Sequence, residues 1–160
     1  MTPKKGIKKN TLLKTAFAAL AIFICFTGIA GAWNFTIPAQ EIFPSDGIFK
    51  FSEKDFADGK AKYFVYEYAP KQKIRFFLIK SKDSTIRAAF DACDVCFRGK
   101  QGYVQQGNLM VCAKCGMKFP TDKINQVRGG CNPSPLERTI QDGQVIISEK
   151  DVLAGAGYFK

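Results

Sequence analysis

CDVC at residues 93–96 and CAKCG at residues 112–116 contain two Cys-x2-Cys motifs with fifteen residues between them. A two-residue spacing lets one tight turn direct two sulfurs to a common point, and a second such turn completes a tetrahedron. Gly116, directly after the second motif, suits a turn with positive φ in which backbone amides approach the sulfurs. The pattern therefore predicts a four-thiolate metal site made by Cys93, Cys96, Cys112 and Cys115.

A fifth cysteine, Cys131, follows the second motif after another fifteen residues. A four-ligand site leaves it over, so we predict that Cys131 is a fifth or substitute ligand. Candidates for the surroundings of the metal are Asp91, Asp94, Met110 and Gly116. The two carboxylates could tune the charge of the site, but the simpler expectation is that they accept backbone amides in the turn. A methionine near such a site is more often part of the core than a ligand.

The chemistry of the five cysteines stays open among three interpretations. Tetrahedral sulfur suits an iron–sulfur cluster and a structural zinc ion about equally well. In an oxidising compartment the same residues could form disulfides or a thiol–disulfide exchange pair. The chain has no histidine, which excludes mixed Cys/His zinc sites, histidine-ligated haem and histidine acid–base catalysis. With no acid–base constellation and no phosphate-binding glycine loop, we expect a redox carrier rather than a substrate-transforming enzyme.

Residues 15–35 form an apolar segment without a charged residue, and the lysine-rich residues 1–14 precede it. At a rise of about 1.5 Å per residue, the segment is just long enough to span a bilayer core of about 30 Å. Lysines before such a segment favour a cytoplasmic N-terminus. We therefore predict a single-pass anchor in the cytoplasmic membrane, with the C-terminal domain outside. The alternative is a signal peptide cleaved near Ala32, after a small-residue pattern.

The net charge of +10 is unevenly distributed. Five lysines precede the apolar segment, and no acidic residue occurs before Glu41. From Trp33 onward, 19 Lys/Arg against 14 Asp/Glu leave a charge of +5. A modest basic excess on an exported domain does not indicate nucleic-acid binding. The predicted partners are the lipid bilayer and a membrane protein.

After a linker at residues 36–45, residues 46–160 are predicted to form one cysteine-rich metal-binding domain. Aromatic and β-branched residues predict strands, of which residues 62–68 and 74–80 pair as a hairpin. A second hairpin turns at residues 106–108 and carries the second cysteine motif. The predicted fold class is mainly β (α+β), with an N-terminal transmembrane helix followed by a small β-rich domain.

The sequence also contains an internal repeat. Seven residues recur unchanged at an offset of 96, as DG at 46–47 and 142–143, SEKD at 52–55 and 148–151, and Gly59 and Gly155. Each copy predicts a turn, a short strand and a helical turn opened by Ser-x-x-Asp. The repeat predicts two equivalent units in adjacent strands that frame the cysteine segment, unless it is a coincidence of two turn sequences.

The cysteine segment resembles the FtrD-like membrane iron–sulfur protein family. The resemblance covers residues 46–159 and is most specific at IRAAFDACDVC (86–96), MVC (110–112) and GGCNP (129–133). Members of that family often carry this domain at the end of a multi-spanning membrane protein encoded near ferrous-iron uptake systems. The resemblance implies an iron–sulfur cofactor, an extracytoplasmic redox or metal-handling role, and a membrane protein partner in iron transport or electron transfer. Because this chain has one predicted membrane segment, that partner is expected to be a separate protein.

Overall fold

A computed structural model describes residues 37–160, which contain ten strands and one α-helix. The strands are β1 (Gln40–Glu41), β2 (Ile48–Ser52), β3 (Lys62–Ala69), β4 (Gln72–Lys80), β5 (Ile86–Phe90), β6 (Tyr103–Gln106), β7 (Leu109–Cys112), β8 (Lys118–Pro120), β9 (Thr139–Gln141) and β10 (Gln144–Ser148). The helix is α1 (Glu149–Ala154). Short 3-10 helices cover Glu53–Phe56, Phe97–Gly99, Thr121–Lys123 and Ala156–Phe159.

A central four-stranded sheet in the order β1-β3-β4-β5 lies between two smaller layers. Its strands are antiparallel except that β1 runs parallel to β3. Along β4, Ile74, Phe76 and Leu78 join one hydrophobic core, while Phe77 and Ile79 join another on the opposite face. A continuous run of apolar residues is typical of a strand that is buried on both faces. The predicted hairpin of residues 62–68 and 74–80 is confirmed.

The first layer is a three-stranded antiparallel sheet in the order β2-β10-β9, which shares a core with the central sheet. Phe49 of β2 packs edge-on against Tyr66 and Phe76, with ring centroids 5.3 and 6.2 Å away. Val145 and Ile147 of β10 are fully buried in the same core. Helix α1 adds Val152. This layer closes the face of the central sheet that does not carry the cysteine segment.

The two copies of the internal repeat are adjacent and nearly symmetric, as the sequence predicts. Strands β2 and β10 pair antiparallel, with Ile48 opposite Ser148 and Ser52 opposite Gln144. Both turns have the same backbone: Asp46 and Asp142 each have φ 52°, and both following glycines have φ 73°. Each copy donates a backbone N–H to the glycine carbonyl of the other, from Glu53 to Gly143 at 2.9 Å and from Glu149 to Gly47 at 2.8 Å. The repeat is therefore a structural pair rather than a coincidence.

The copies differ where each helical turn begins. The side chain of Ser148 accepts a hydrogen bond from the backbone N–H of Asp151 at 3.0 Å, which satisfies one free amide at the start of α1. Ser52 makes no such bond, and only a 3-10 turn follows it. The capped copy is accordingly the one that continues as an α-helix.

The second layer is the antiparallel sheet β6-β7-β8, which covers the opposite face of the central sheet. Its core combines Tyr63 and Phe77 of the central sheet with Tyr103, Met110 and Phe119. Met110 is completely buried there, so its position fits core packing. The predicted hairpin that turns at residues 106–108 is confirmed as β6 and β7. This layer carries the second cysteine motif.

The mainly β fold with few helices agrees with the prediction. No helix in the described part of the chain is long and apolar enough to cross a membrane. The predicted anchor at residues 15–35, which contains the sixth cysteine, Cys25, lies outside the described residues. So do the basic residues 1–14 and the possible cleavage near Ala32. Strand β1 falls within the predicted linker at residues 36–45 and pairs with Phe64 and Val65.

Candidate metal centre

The first cysteine turn follows directly from β5. Two backbone hydrogen bonds to Ser134 hold the chain where it leaves β5. Phe90 N–H donates to the Ser134 carbonyl at 2.8 Å, and Ser134 N–H donates to the Ala92 carbonyl at 2.9 Å. Within the turn, the backbone N–H of Cys96 donates to Cys93 Sγ at 3.2 Å. The two-residue spacing thus produces the amide-to-sulfur contact expected of a metal-binding turn.

The second cysteine turn follows directly from β7. The N–H of Gly116 donates to the Cys112 carbonyl at 2.8 Å, and the N–H of Cys112 donates to the Met117 carbonyl at 2.9 Å. Gly116 has φ +75°, which confirms the predicted left-handed position and is readily adopted only by glycine. The turn leaves Cys115 exposed and Cys112 buried.

Asp91 joins the two turns. One carboxylate oxygen accepts the backbone N–H of Tyr103 at 2.7 Å, and the other accepts Arg75 Nε at 2.7 Å. Asp91 therefore accepts a backbone amide, but that amide belongs to the start of the second hairpin and not to the cysteine turn in which the sequence predicted it. Burial raises the pKa of Asp91, and the Arg75 guanidinium opposes that rise. The contact holds the start of the second hairpin against the end of β5.

Cys131 reaches the same place from a separate loop. The hydroxyl of Tyr103 donates to the Cys131 carbonyl at 2.5 Å. The sulfur of Cys131 lies 3.9 Å from that of Cys96. Three distant segments thus bring five cysteine side chains together.

The five sulfurs form two groups that share one member. The inner triad is Cys93, Cys96 and Cys112, and the outer triad is Cys96, Cys115 and Cys131; within each triad all sulfurs lie within 4.8 Å of one another. The four motif cysteines do not form one such group among residues 37–160. Cys131 is therefore one of the three sulfurs of the outer triad. An all-sulfur donor set suits soft or borderline metals and iron–sulfur centres.

Burial and electrostatics differ across the centre. Cys93 and Cys112 are only 1% and 2% exposed, whereas Cys115 is open to solvent. The backbone N–H of Met117 lowers the pKa of the Cys115 thiol, while burial raises the pKa values of the Cys96, Cys112 and Cys131 thiols. Of these four thiols, Cys115 is the one whose pKa is lowered by its surroundings.

Asp94 accepts no backbone amide from residues 37–160, contrary to the simpler expectation. It instead accepts a hydrogen bond from the Tyr158 hydroxyl at 2.6 Å. The Tyr158 ring packs against Phe90 and Phe97, with centroids 6.0 and 5.8 Å away. The C-terminal 3-10 helix is thereby attached to the first cysteine turn.

Three residues that support the centre were not predicted from the sequence: Arg75, Tyr103 and Tyr158. Arg75 could have been recognised from the sequence, because it is the one charged residue inside the apolar run of residues 74–79. A charge at such a position requires a partner. Neither tyrosine stands out in a chain with this many aromatic residues.

Residues 56–159 match a family model described as membrane iron–sulfur containing protein, FtrD-like. The match covers 104 of the 160 residues. The chain belongs to this FtrD-like family. The matched region includes all five clustered cysteines, the whole β6-β7-β8 sheet, and strands β3, β4 and β5 of the central sheet. The family description names both a membrane and an iron–sulfur group, and the sulfur donor set described above is compatible with metal binding.

No curated protein matches the sequence significantly. Among solved structures, a similar one is the crystal structure of the quaternary ammonium Rieske monooxygenase CntA in complex with an inhibitor. The identity is 17% and the TM-score 0.40, over 62% of this chain and 30% of that chain. The aligned region thus spans less than a third of that monooxygenase.

Proposed function

We propose that this protein is an electron carrier whose clustered cysteines hold an iron–sulfur group on the outer side of the cytoplasmic membrane. The observation that carries the proposal is the gathering of five sulfurs, from three segments, at a place where one of them is exposed. The iron–sulfur group would supply one-electron redox chemistry. Residues 15–35 would anchor the chain, with residues 46–160 outside.

The protein's own contribution is to hold the sulfurs and set their surroundings. Backbone N–H groups of Cys96 and Met117 point at cysteine sulfurs. Hydrogen bonds to sulfur, burial and solvent exposure are the means by which proteins set the reduction potential of such groups. The Tyr103 ring and the buried side of the centre exclude water from Cys93 and Cys112.

The exposed side of the centre provides a surface for the partner. Val95 lies within the first cysteine turn and Met117 follows the second, and the two side chains are 63% and 54% exposed. Basic residues surround them in sequence, namely Arg98, Lys114 and Lys118. This arrangement suits a membrane redox protein with an acidic rim, because complementary charge accelerates and orients association. We propose that this partner exchanges electrons with Cys115, the most exposed of the sulfurs, in iron uptake or membrane redox chemistry.

A zinc-stapled binding module is the second candidate, and one observation favours it. Cys93 and Cys112 belong to the second hydrophobic core together with Phe77, Tyr103 and Met110. A metal bound there would stabilise this layer, as structural zinc does in small domains. The domain would then act through its surface, by docking on a transporter.

The deciding experiment is purification of the full chain in detergent without oxygen, followed by measurement of metal, labile sulfide and visible absorption. Iron with sulfide, and colour that bleaches reversibly on reduction, is the expected result. Colourless protein with stoichiometric zinc would overturn the electron carrier and leave the zinc module. Cys25→Ser, which removes the one cysteine outside the described residues, is the control and should leave the metal content unchanged.

A further inference from the structure

We infer that the five cysteines provide two metal positions rather than one, an inner position at the inner triad and an outer position at the outer triad, with Cys96 shared between them. The inference deepens the proposed function, since it rests on the cysteines binding metal. It applies to the sulfur frame itself and therefore holds for iron or for zinc.

The spacing of the sulfurs carries this inference. A single tetrahedral ion with metal–sulfur bonds of about 2.3 Å places its four sulfurs about 3.8 Å apart from one another. The two cysteine motifs do not provide such a group of four, because their sulfurs divide between the triads. Each triad instead brings three sulfurs within 4.8 Å of one another, and the Cys96–Cys131 separation of 3.9 Å in the outer triad matches a tetrahedral edge.

Cys96 is the residue that makes the two positions neighbours. It is the one sulfur within 4.8 Å of both members of each pair, Cys93 with Cys112 and Cys115 with Cys131. A thiolate sulfur has more than one lone pair, so it can contact two ions. Removing Cys96 should therefore weaken both positions, whereas removing any other cysteine should weaken only one.

The two positions differ in access to solvent. The inner one is enclosed by the second core, where Cys93 and Cys112 lie beside Tyr103 and Met110. The outer one ends at exposed Cys115 and half-buried Cys131. A ligand from solvent or from a partner protein could complete the coordination of the outer ion alone. The outer position is thus the one at which the centre can exchange a ligand or an ion.

The test is an anaerobic titration of the metal-free full chain with cadmium, followed through the absorption of cadmium–thiolate bonds. The chain carries Cys25→Ser so that only the five clustered sulfurs remain. The expected endpoint is two equivalents. An endpoint at one equivalent, or no binding, would overturn the inference.

Single variants then assign the positions. Cys115→Ser and Cys131→Ser should each reduce the endpoint from two equivalents to one, while Cys96→Ser should weaken binding of both. Cys93→Ser should also give one equivalent, with far-ultraviolet circular dichroism as the check that the domain is folded. If Cys115→Ser and Cys131→Ser both leave two equivalents, the outer position is wrong.

This result is separable from the test of the proposed function. Two cadmium equivalents with zinc in the purified protein would sustain the two positions and reject the electron carrier. One cadmium equivalent, with iron, sulfide and reversible colour in the purified protein, would sustain the electron carrier and reject the two positions.

Discussion

Asp91 at the end of the central sheet holds the first residue of the cysteine hairpin, because its carboxylate accepts the backbone N–H of Tyr103 at 2.7 Å. The second oxygen of the same carboxylate is paired with Arg75, also at 2.7 Å. One side chain thus links the strand that leads to the first cysteine turn with the hairpin that carries the second. The relative position of the two turns depends on this link.

Asp91→Ala should destabilise the domain by about 3 kcal/mol, the lower end of the cost of breaking a buried ion pair. The lower end applies because the Arg75 side chain is partly exposed and also donates to the Ile37 carbonyl at 2.6 Å. Urea unfolding of the metal-loaded chain measures the change. Asp55→Ala, at an exposed position, is the matched control. Equal stability of the two variants would contradict the role assigned to Asp91.

Gly102→Ala should displace the Asp91 carboxylate. An added Cβ would lie 2.5 Å from Asp91 Oδ2, and Gly102 has φ +66°. The left-handed backbone alone costs a residue with a Cβ about 1–2 kcal/mol, and the overpacking adds about 1–3 kcal/mol. Comparison of the urea unfolding of Gly102→Ala with that of the parent chain measures the sum of the two costs.

Gly107→Ala separates the two contributions. Gly107 has φ +57° and no atom within 4 Å of an added Cβ. It should therefore show only the backbone cost of about 1–2 kcal/mol. If Gly102→Ala is no worse than Gly107→Ala, the close approach of Asp91 does not matter.

Tyr103→Phe should loosen the Cys131 loop. The variant removes the hydroxyl that donates to the Cys131 carbonyl, at a cost of about 1 kcal/mol in stability. In the metal-free chain, modification of Cys131 by a small thiol reagent should be faster, as followed by peptide mass spectrometry. Tyr68→Phe, which loses an exposed hydrogen bond to Gln72, is the control and should not change that rate.

The turn after β4 should make stability depend on pH in the acid range. A hydrogen bond from the Ser81 hydroxyl, and then the Arg87 guanidinium, hold the pKa of Asp83 below its ordinary value. Since the folded-state pKa is the lower one, the stabilisation is fully present above the unfolded pKa of about 3.9 and is lost as the pH falls through the folded value. Asp83→Asn should therefore be less stable than the parent chain at pH 7, and the difference should shrink below about pH 4.

Urea unfolding at a series of pH values tests this dependence. Asp55→Asn, which changes an exposed carboxylate, is the control for the general effect of removing one acid. A difference between parent and Asp83→Asn that stays constant down to the lowest pH would rule out the linkage.

The turns and hairpins were predictable because each depends on residues that are close together in the sequence. The turn at Gly116 follows from the Cys-x2-Cys spacing, and the hairpins follow from aromatic and β-branched runs interrupted by turn residues. The repeat was visible as seven identical residues, and its copies are adjacent because each turn supplies the carbonyl that the other needs. Asp94 was predicted less well, since its partner, Tyr158, lies 64 residues away in sequence.

The residue types and their spacing predicted sulfur chemistry on a mainly β domain, because five cysteines fall within 39 residues and the chain has no histidine. They did not predict how the sulfurs are grouped, because the spacing within a motif reports only on a local turn. The burial of Cys93 and Cys112, the exposure of Cys115 and the membership of Cys96 in two triads are visible only in the folded domain. These features depend on how three separate segments pack, through the Asp91–Tyr103 and Tyr103–Cys131 contacts, and no local pattern contains that information.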